Sequence, residues 1–195
     1  MCQLRLPNAT LYQQLQQADE GMAAEAREQP CRHCGGPLHV ANFHRKPRGG
    51  PKDLPAGYTL RYSLCCGRCR RRSTPPSVRY LGRRVYVGAI VVVVSLCRHG
   101  VTARRVARLR QLLDDGGSSI CRETVERWRA WWQERLPSGA FWRGHRAHFV
   151  PPVEEKALPA SVLERFGGEG EEPLAKLLAW LSPVSTLTAP GALAL

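Results

Sequence analysis

The sequence predicts a mainly α-helical fold with one small β module, and three observations lead to this prediction. Two C-x-x-C pairs lie in the first half of the chain, where they flank a loop rich in proline and glycine. Two amphipathic helical patterns follow, separated by a short turn of Asp, Gly and Ser. Apolar residues make up 43% of the 195 residues, which is enough to bury a core.

The chain divides into four predicted regions. Residues 1–30 hold a helix over 10–28, rich in Gln, Ala and Glu, that ends before Pro30. Residues 31–74 form the β module, with a strand over 58–64. Residues 75–136 form a helical bundle. Residues 137–195 supply a connector, two short helices over 159–166 and 172–182, and a frayed tail.

The cysteines predict a metal site. Cys31 and Cys34 form the first C-x-x-C pair, and Cys66 and Cys69 form the second. Each pair is a tight turn that aims two sulfur atoms at one point, so two pairs complete a tetrahedron typical of structural Zn²⁺. A rubredoxin-like iron site is the alternative that tetrahedral thiolate chemistry leaves open.

Neighbouring side chains compete as ligands. Cys65 adjoins Cys66, but adjacent strand residues point to opposite faces, so we expect only one of them to bind, and Cys66 completes the turn. We expect His33, His39 and His44 on the surface. Paired C-x-x-C turns fit a reduced cytoplasmic zinc protein better than a disulfide scaffold, and the first 17 residues do not resemble a secretion signal.

The apolar stretch at 85–97 has two competing interpretations. It is too short to cross a membrane and therefore predicts a buried core element. Its β-branched residues favour a strand, whereas its position before the helix pair favours a helix over 85–96, which we adopt.

The two amphipathic patterns predict a helix-turn-helix. The first helix runs over 102–113, and a turn over 114–119 follows it. The second helix carries an apolar stripe at Cys121, Val125, Trp128 and Trp132. It would lie in the major groove of DNA, with arginines near its start. An ordinary helical hairpin with a solvated charged face is the alternative.

Residues 31–135 resemble the N-terminal DNA-binding part of bacterial insertion-sequence transposases that begin with a zinc ribbon. The shared order is C-x-x-C-Gly, a Tyr/Arg strand, C-x-x-C, a basic stretch, an apolar helix and a helix-turn-helix. In this chain these features lie at residues 31–35, 61–62, 66–69, 70–74, 85–96 and 101–132, and residues 124–131 resemble the recognition helix. The implied fold is mainly α with a small β zinc ribbon, followed by a helix-turn-helix three-helix bundle.

Charge supports a polyanion partner. The formal net charge is +13, and residues 31–110 hold 18 lysines and arginines against one acid, Asp53. We therefore expect double-stranded DNA as partner, bound near the bacterial nucleoid, with no membrane association. The predicted DNA-binding residues are Arg70, Arg71, Arg72, Arg83, Arg84, Arg104, Arg105, Arg122 and Arg127.

The resemblance implies a DNA-binding protein of a mobile element. Only 60 residues follow the helix-turn-helix, and their acids fall in one short stretch, which leaves no room for the nuclease domain of such transposases. We expect an accessory or truncated transposase that is not itself an enzyme. A transposase or recombinase acting in trans is the further partner.

Three alternative functions remain at this point. A stand-alone transcription regulator would use the same residues. An RNA-binding zinc-ribbon protein would prefer structured RNA and be indifferent to changes at Arg122 and Arg127. A structural adaptor would expose tryptophans as anchors; we expect Trp128 and Trp132 in the core and leave Trp131 and Trp142 open.

Overall fold

The computed structural model describes residues 6–51, 54–82, 86–96, 102–113 and 120–186, without the side chains of Arg105 and Thr186. Helices and small antiparallel sheets combine there in a mixed fold that is about 52% helical. The coarse prediction of helices with a small β component is thereby confirmed. Within the described ranges no helix is both long and apolar enough to cross a membrane.

The N-terminal helix α1 spans Ala9–Glu28 and confirms the helix predicted over 10–28. The side chain of Asn8 caps it by accepting a hydrogen bond from the Leu11 amide at 2.9 Å. Its buried face carries Leu11 and Leu15, and also the carboxylate of Asp19. A charge on the buried face of a helix requires a partner.

The β module contains five short strands in two sheets. The three-stranded sheet has the order β1 (Leu38–Val40), β4 (Leu64–Cys66), β5 (Arg72–Ser73), and the two-stranded sheet pairs β2 (Phe43–His44) with β3 (Leu60–Arg61). All pairings are antiparallel, with Leu38 opposite Cys66 and Cys65 opposite Arg72. The strand predicted over 58–64 is shorter than expected, because the chain leaves one sheet and enters the other.

The proline- and glycine-rich loop between the two C-x-x-C pairs packs onto the helical part of the chain. The amide of Val87 donates a hydrogen bond to the Arg48 carbonyl at 3.0 Å. Gly49 has φ +72°, and a Cβ there would lie 2.9 Å from Cδ1 of Ile120. The close approach and the positive φ both require glycine at this position.

The apolar stretch predicted as one helix divides into two elements. Strand β7, Tyr86–Val87, pairs with β6, Tyr80–Leu81, and helix α2 follows over Gly88–Ser95. The β-branched residues are therefore mostly helical, as their position indicated. Helix α2 packs against two later helices, Arg122–Ala130 and Glu172–Leu181.

The predicted helix pair is present as two helices. Helix α3 spans Ala103–Leu112 and α4 spans Arg122–Ala130, while the turn predicted over 114–119 lies outside the described residues. Helix α4 continues through a π-helical turn, Trp131–Arg135. The remaining helices are α5 Leu136–Ser138, α6 Ala140–His145, α7 Ala160–Leu163 and α8 Glu172–Leu181, with 3₁₀ turns at Arg146–His148, Glu155–Ala157 and Ser182–Thr186.

All four tryptophans that the adaptor hypothesis needed as anchors are buried. Trp128, Trp132 and Trp142 are 0% exposed and Trp131 is 1% exposed. An adaptor that presents them on its surface is therefore wrong. The C-terminal part also contributes to the core, because Val184 is buried in the 3₁₀ turn at residues 182–186. The fraying expected from Ser182 is therefore wrong for these residues, and the rest of the predicted tail lies outside the described residues.

A buried ion pair joins α1 to the chain segment that follows the β module. Arg79 Nε lies 2.7 Å from Asp19 Oδ2, and both side chains are 0% exposed. Asp19 also accepts from the Ser77 hydroxyl at 2.6 Å and the Val78 amide at 2.7 Å. The Arg79 guanidinium donates further to the carbonyls of Tyr58 and Leu60, at 3.0 and 2.7 Å.

We expect Asp19→Ala to lower the free energy of unfolding by about 3–5 kcal/mol, because it leaves the Arg79 guanidinium buried without its counter-ion. Urea unfolding followed by circular dichroism measures this loss. Glu25→Ala, which removes an exposed carboxylate from the same helix, is the matched control and should change stability by under about 0.5 kcal/mol. Equal losses in the two variants would contradict a structural role for the ion pair.

Candidate metal centre

The two C-x-x-C turns have the same backbone hydrogen bonds. In the first knuckle, residues 31–36, the Cys31 amide donates to the Gly36 carbonyl at 2.9 Å, and the Gly35 amide donates to the Cys31 carbonyl at 2.8 Å. In the second knuckle, residues 66–71, the Cys66 amide donates to the Arg71 carbonyl at 2.9 Å, and the Arg70 amide donates to the Cys66 carbonyl at 3.0 Å. The two knuckles therefore have the same backbone conformation.

The fifth residue of each knuckle adopts the left-handed conformation. Gly35 has φ +69° and Arg70 has φ +61°, and Arg70 is the one described non-glycine residue with positive φ. Glycine adopts this region freely, whereas a residue with a Cβ is strained there by about 1–2 kcal/mol. Arg70 is held in this conformation by the knuckle around it.

The four sulfur atoms of Cys31, Cys34, Cys66 and Cys69 converge, all within 4.8 Å of one another. Sγ of Cys31 lies 3.7 Å from Sγ of Cys69, and Sγ of Cys34 lies 3.4 Å from Sγ of Cys66. Sulfurs at about 2.3 Å from a tetrahedral Zn²⁺ would lie about 3.8 Å apart. The cluster therefore has the dimensions to hold one metal ion, and its four positions are those predicted from the cysteine spacing.

The surroundings of the cluster shift the pKa values of Cys66 and Cys69 in opposite directions. The amides of Cys69 and Arg68 lie 3.4 and 3.3 Å from Cys66 Sγ. The Cys69 amide is the main cause that lowers the pKa of Cys66 to about 6, and it outweighs burial, which raises that pKa. At Cys69 the amide of Arg71 lowers the pKa, but burial and the neighbouring thiols raise it to about 11. The amides around Cys66 thus favour its thiolate form, and a metal ion that binds displaces the protons of the thiols that hold it.

Gly36 permits the two knuckles to approach closely. A Cβ on this residue would lie 2.8 Å from Cβ of Arg68 and 3.1 Å from Sγ of Cys66. Both contacts are too short for a side chain to be accommodated without a shift. The glycine that follows the first C-x-x-C-Gly motif is therefore required by the contact between the knuckles.

The neighbouring Cys and His side chains lie outside the cluster. Cys65 is half-buried and its thiol points to the carbonyls of Cys66 and Arg70, at 3.8 and 3.6 Å. The predicted choice of Cys66 over Cys65 is confirmed. His33, His39 and His44 are exposed, as expected. Within the described residues no second group of His, Cys, Asp or Glu converges in this way.

Five exposed arginines surround the cluster, and we call them the knuckle arginines. Each lies within three residues of a clustered cysteine, and none has a carboxylate partner in the described part of the chain. Nη1 of Arg71 lies 3.0 Å from Nδ1 of His33, which links the second knuckle to the first. The knuckle arginines are Arg32, Arg68, Arg70, Arg71 and Arg72.

The other predicted DNA-binding residues differ in their surroundings. Arg104 is exposed on α3. Arg122 is exposed but lies 2.8 Å from Oε1 of Glu126, to which its Nε donates. Arg127 is half-buried. Arg83 and Arg84 lie outside the described residues, as does the side chain of Arg105.

Sequence reasoning did not anticipate the Asp19–Arg79 pair. One signal was present: Asp19 lies four residues after Leu15 and seven after Tyr12, on the apolar face of α1. A charged residue in an apolar stripe is typical of a buried ion pair. Its partner lies 60 residues away and has no comparable local pattern.

We expect Cys66→Ser to abolish metal binding and Cys65→Ser to leave it intact. The two residues are adjacent and the substitution is the same, so each serves as the control for the other. Native mass spectrometry of protein purified with Zn²⁺ should show one bound ion in the wild type and in Cys65→Ser, and none in Cys66→Ser. Retention of the ion by Cys66→Ser with loss from Cys65→Ser would show that the assigned ligand set is wrong.

Comparison with known proteins adds no assignment. No protein-family model, no curated protein and no solved structure matches this chain. The four-cysteine cluster and the exposed arginines near it are the features of this chain that point to a function.

Proposed function

We propose that this protein binds double-stranded DNA through the knuckle arginines, and that a Zn²⁺ ion holds them in place. One observation carries the proposal: five exposed arginines without carboxylate partners in the described residues lie around a cluster of four cysteines. Exposed arginines that are free of acids are suited to the phosphate backbone.

Zn²⁺ fits the donor set for a chemical reason. Four thiolates within 4.8 Å repel one another unless a cation lies among them. Zn²⁺ is four-coordinate in structural sites and leaves no open position when four cysteines bind it. Such an ion supplies structure and no reaction chemistry. Iron is the alternative metal, and metal analysis distinguishes the two.

The knuckle arginines are held by short-range geometry. Arg32 and Arg68 lie inside the two C-x-x-C turns, and Arg70 is fixed in the left-handed conformation. Arg72 lies on strand β5, opposite Cys65 of β4. A cationic surface of this kind loses little conformational freedom on binding, because its backbone is already ordered.

A role in a mobile element is the biological setting that we propose for this DNA-binding activity. It rests on the resemblance of residues 31–135 to the N-terminal part of insertion-sequence transposases. The chain would then act as an accessory or truncated transposase beside a catalytic partner in trans. Selection of bound fragments from genomic DNA should enrich the terminal inverted repeats of such elements, whereas enrichment of promoters would favour a transcription regulator.

Structured RNA is a second candidate ligand, and one observation favours it. The arginines expected to read bases from α4 are engaged within the protein: Arg122 pairs with Glu126, and Nη2 of Arg127 donates to Thr124 Oγ1 at 3.1 Å. The knuckle arginines, by contrast, suit phosphates of either nucleic acid. A competition with a structured RNA is therefore part of the test.

We expect the triple variant Arg70→Ala, Arg71→Ala, Arg72→Ala to weaken duplex binding by roughly two orders of magnitude near 0.15 M salt. Each lost phosphate contact removes about 0.9 from the slope of log affinity against log salt, so the slope should fall by about 2.7. Fluorescence anisotropy of a labelled 20-base-pair duplex, titrated at several salt concentrations, measures both quantities.

The matched control removes the same charge from exposed positions of the helical part: Arg135→Ala, Arg143→Ala, Arg165→Ala. Its salt slope should stay close to that of the wild type. Equal losses in the two triple variants would mean that net charge, rather than the knuckle surface, drives binding. A structured RNA that displaces the duplex at tenfold lower concentration would replace DNA by RNA as the ligand.

A further inference from the structure

Helix α3 presents a cationic face with no acid. Its sequence from Ala103 to Leu112 contains no Asp or Glu. Arg104 and Arg108 lie four residues apart, on one side of the helix, and both are exposed. Neither has a carboxylate partner within the described residues. Within the described residues, both guanidinium groups are therefore open to an external anion.

The exposed surface of α3 also carries small side chains. Ala103 and Ala107 are exposed and lie between and beside the two arginines. The opposite side is anchored, because Val106, Leu109 and Leu113 are buried. An exposed alanine surface flanked by arginines lets a helix backbone approach a flat or concave polyanion closely.

Helix α4, in contrast, carries acidic as well as basic side chains. Its exposed residues near the start are Arg122, Glu123 and Glu126, and the Arg122–Glu126 pair neutralises the arginine. Glu123 adds a second carboxylate to that surface, where the charges of Arg122 and of Arg110 on α3 act on it. Arg127 is half-buried and its guanidinium contacts Thr124 of the same helix. A phosphate backbone would therefore meet carboxylates beside the cations where the helix-turn-helix prediction places its recognition helix.

From this contrast we infer, on the basis of the proposed function, that α3 and not α4 is the helix that docks on the nucleic-acid backbone. Arg104 and Arg108 contact phosphates and add a second binding surface to the knuckle arginines. Docking of this kind positions the protein without reading base sequence. Helix α4 then does not hold the main DNA contacts that the helix-turn-helix prediction assigns to it.

The experiment compares two double variants of the full-length, metal-loaded protein. Arg104→Ala with Arg108→Ala removes the cations of α3, and Arg122→Ala with Arg127→Ala removes those of α4. Alanine favours helix, so α3 should stay folded, and thermal unfolding checks this. Arg143→Ala with Arg165→Ala controls for the loss of two positive charges. Anisotropy of the 20-base-pair duplex across a salt series is the readout.

For the α3 variant we expect the salt slope to fall by about 1.8 and the affinity near 0.15 M salt to fall about 30-fold. The α4 variant should lose much less of either. If the wild type binds and the α3 variant keeps its slope, α3 does not dock, while the proposed function stands. A larger loss in the α4 variant would restore α4 as the docking helix. If the wild type does not bind duplex at all, the proposed function fails together with this inference.

Discussion

Four sulfur atoms held within 4.8 Å are the constraint on which the β module depends. Its strands are two or three residues long, and few of its apolar side chains are buried. A module of this size gains little from hydrophobic burial and needs a staple to stay ordered. The two knuckles bring together four cysteines that could bind a metal ion as that staple, and a bound cation would offset the repulsion between their thiolates. The positions of the five knuckle arginines follow from the same turns.

A second set of contacts attaches this module to the rest of the chain. Arg79 reaches the Asp19 carboxylate on α1 and two carbonyls near strand β3, with no exposure to water. Gly49 brings the proline- and glycine-rich loop against Ile120. The N-terminal helix, which had no role from its sequence, is thus the support for the segment between the module and the helices. These contacts hold the β module against the rest of the chain. Cations on the module and on α3 would then act on one polyanion.

The local features were predictable and the long-range ones were not. C-x-x-C spacing determines a turn by itself, so the four clustered cysteines and the position of Cys65 outside the cluster followed from the sequence. Helices close to α1, α3, α4 and α8 were predicted, and the strand at Tyr86–Val87 shows that propensity and position were both partly right. Helix α6 was not predicted, because glycines and prolines mark residues 137–152 as a connector, whereas the buried Trp142 anchors a helix there. The ion pair of Asp19 joins residues 60 apart, which no local pattern specifies. A helical wheel also places the Cβ of Arg127 but not its guanidinium, which turns back to Thr124.

The central claim is that one bound metal ion keeps the knuckle arginines in the geometry that binds nucleic acid. The most direct measurement titrates a chelator into the protein while metal release and duplex anisotropy are followed in the same sample. The account predicts that affinity falls in proportion to the Zn²⁺ released and returns when Zn²⁺ is added back under reducing conditions. Metal-free protein that binds the duplex with unchanged affinity and unchanged salt slope would contradict it.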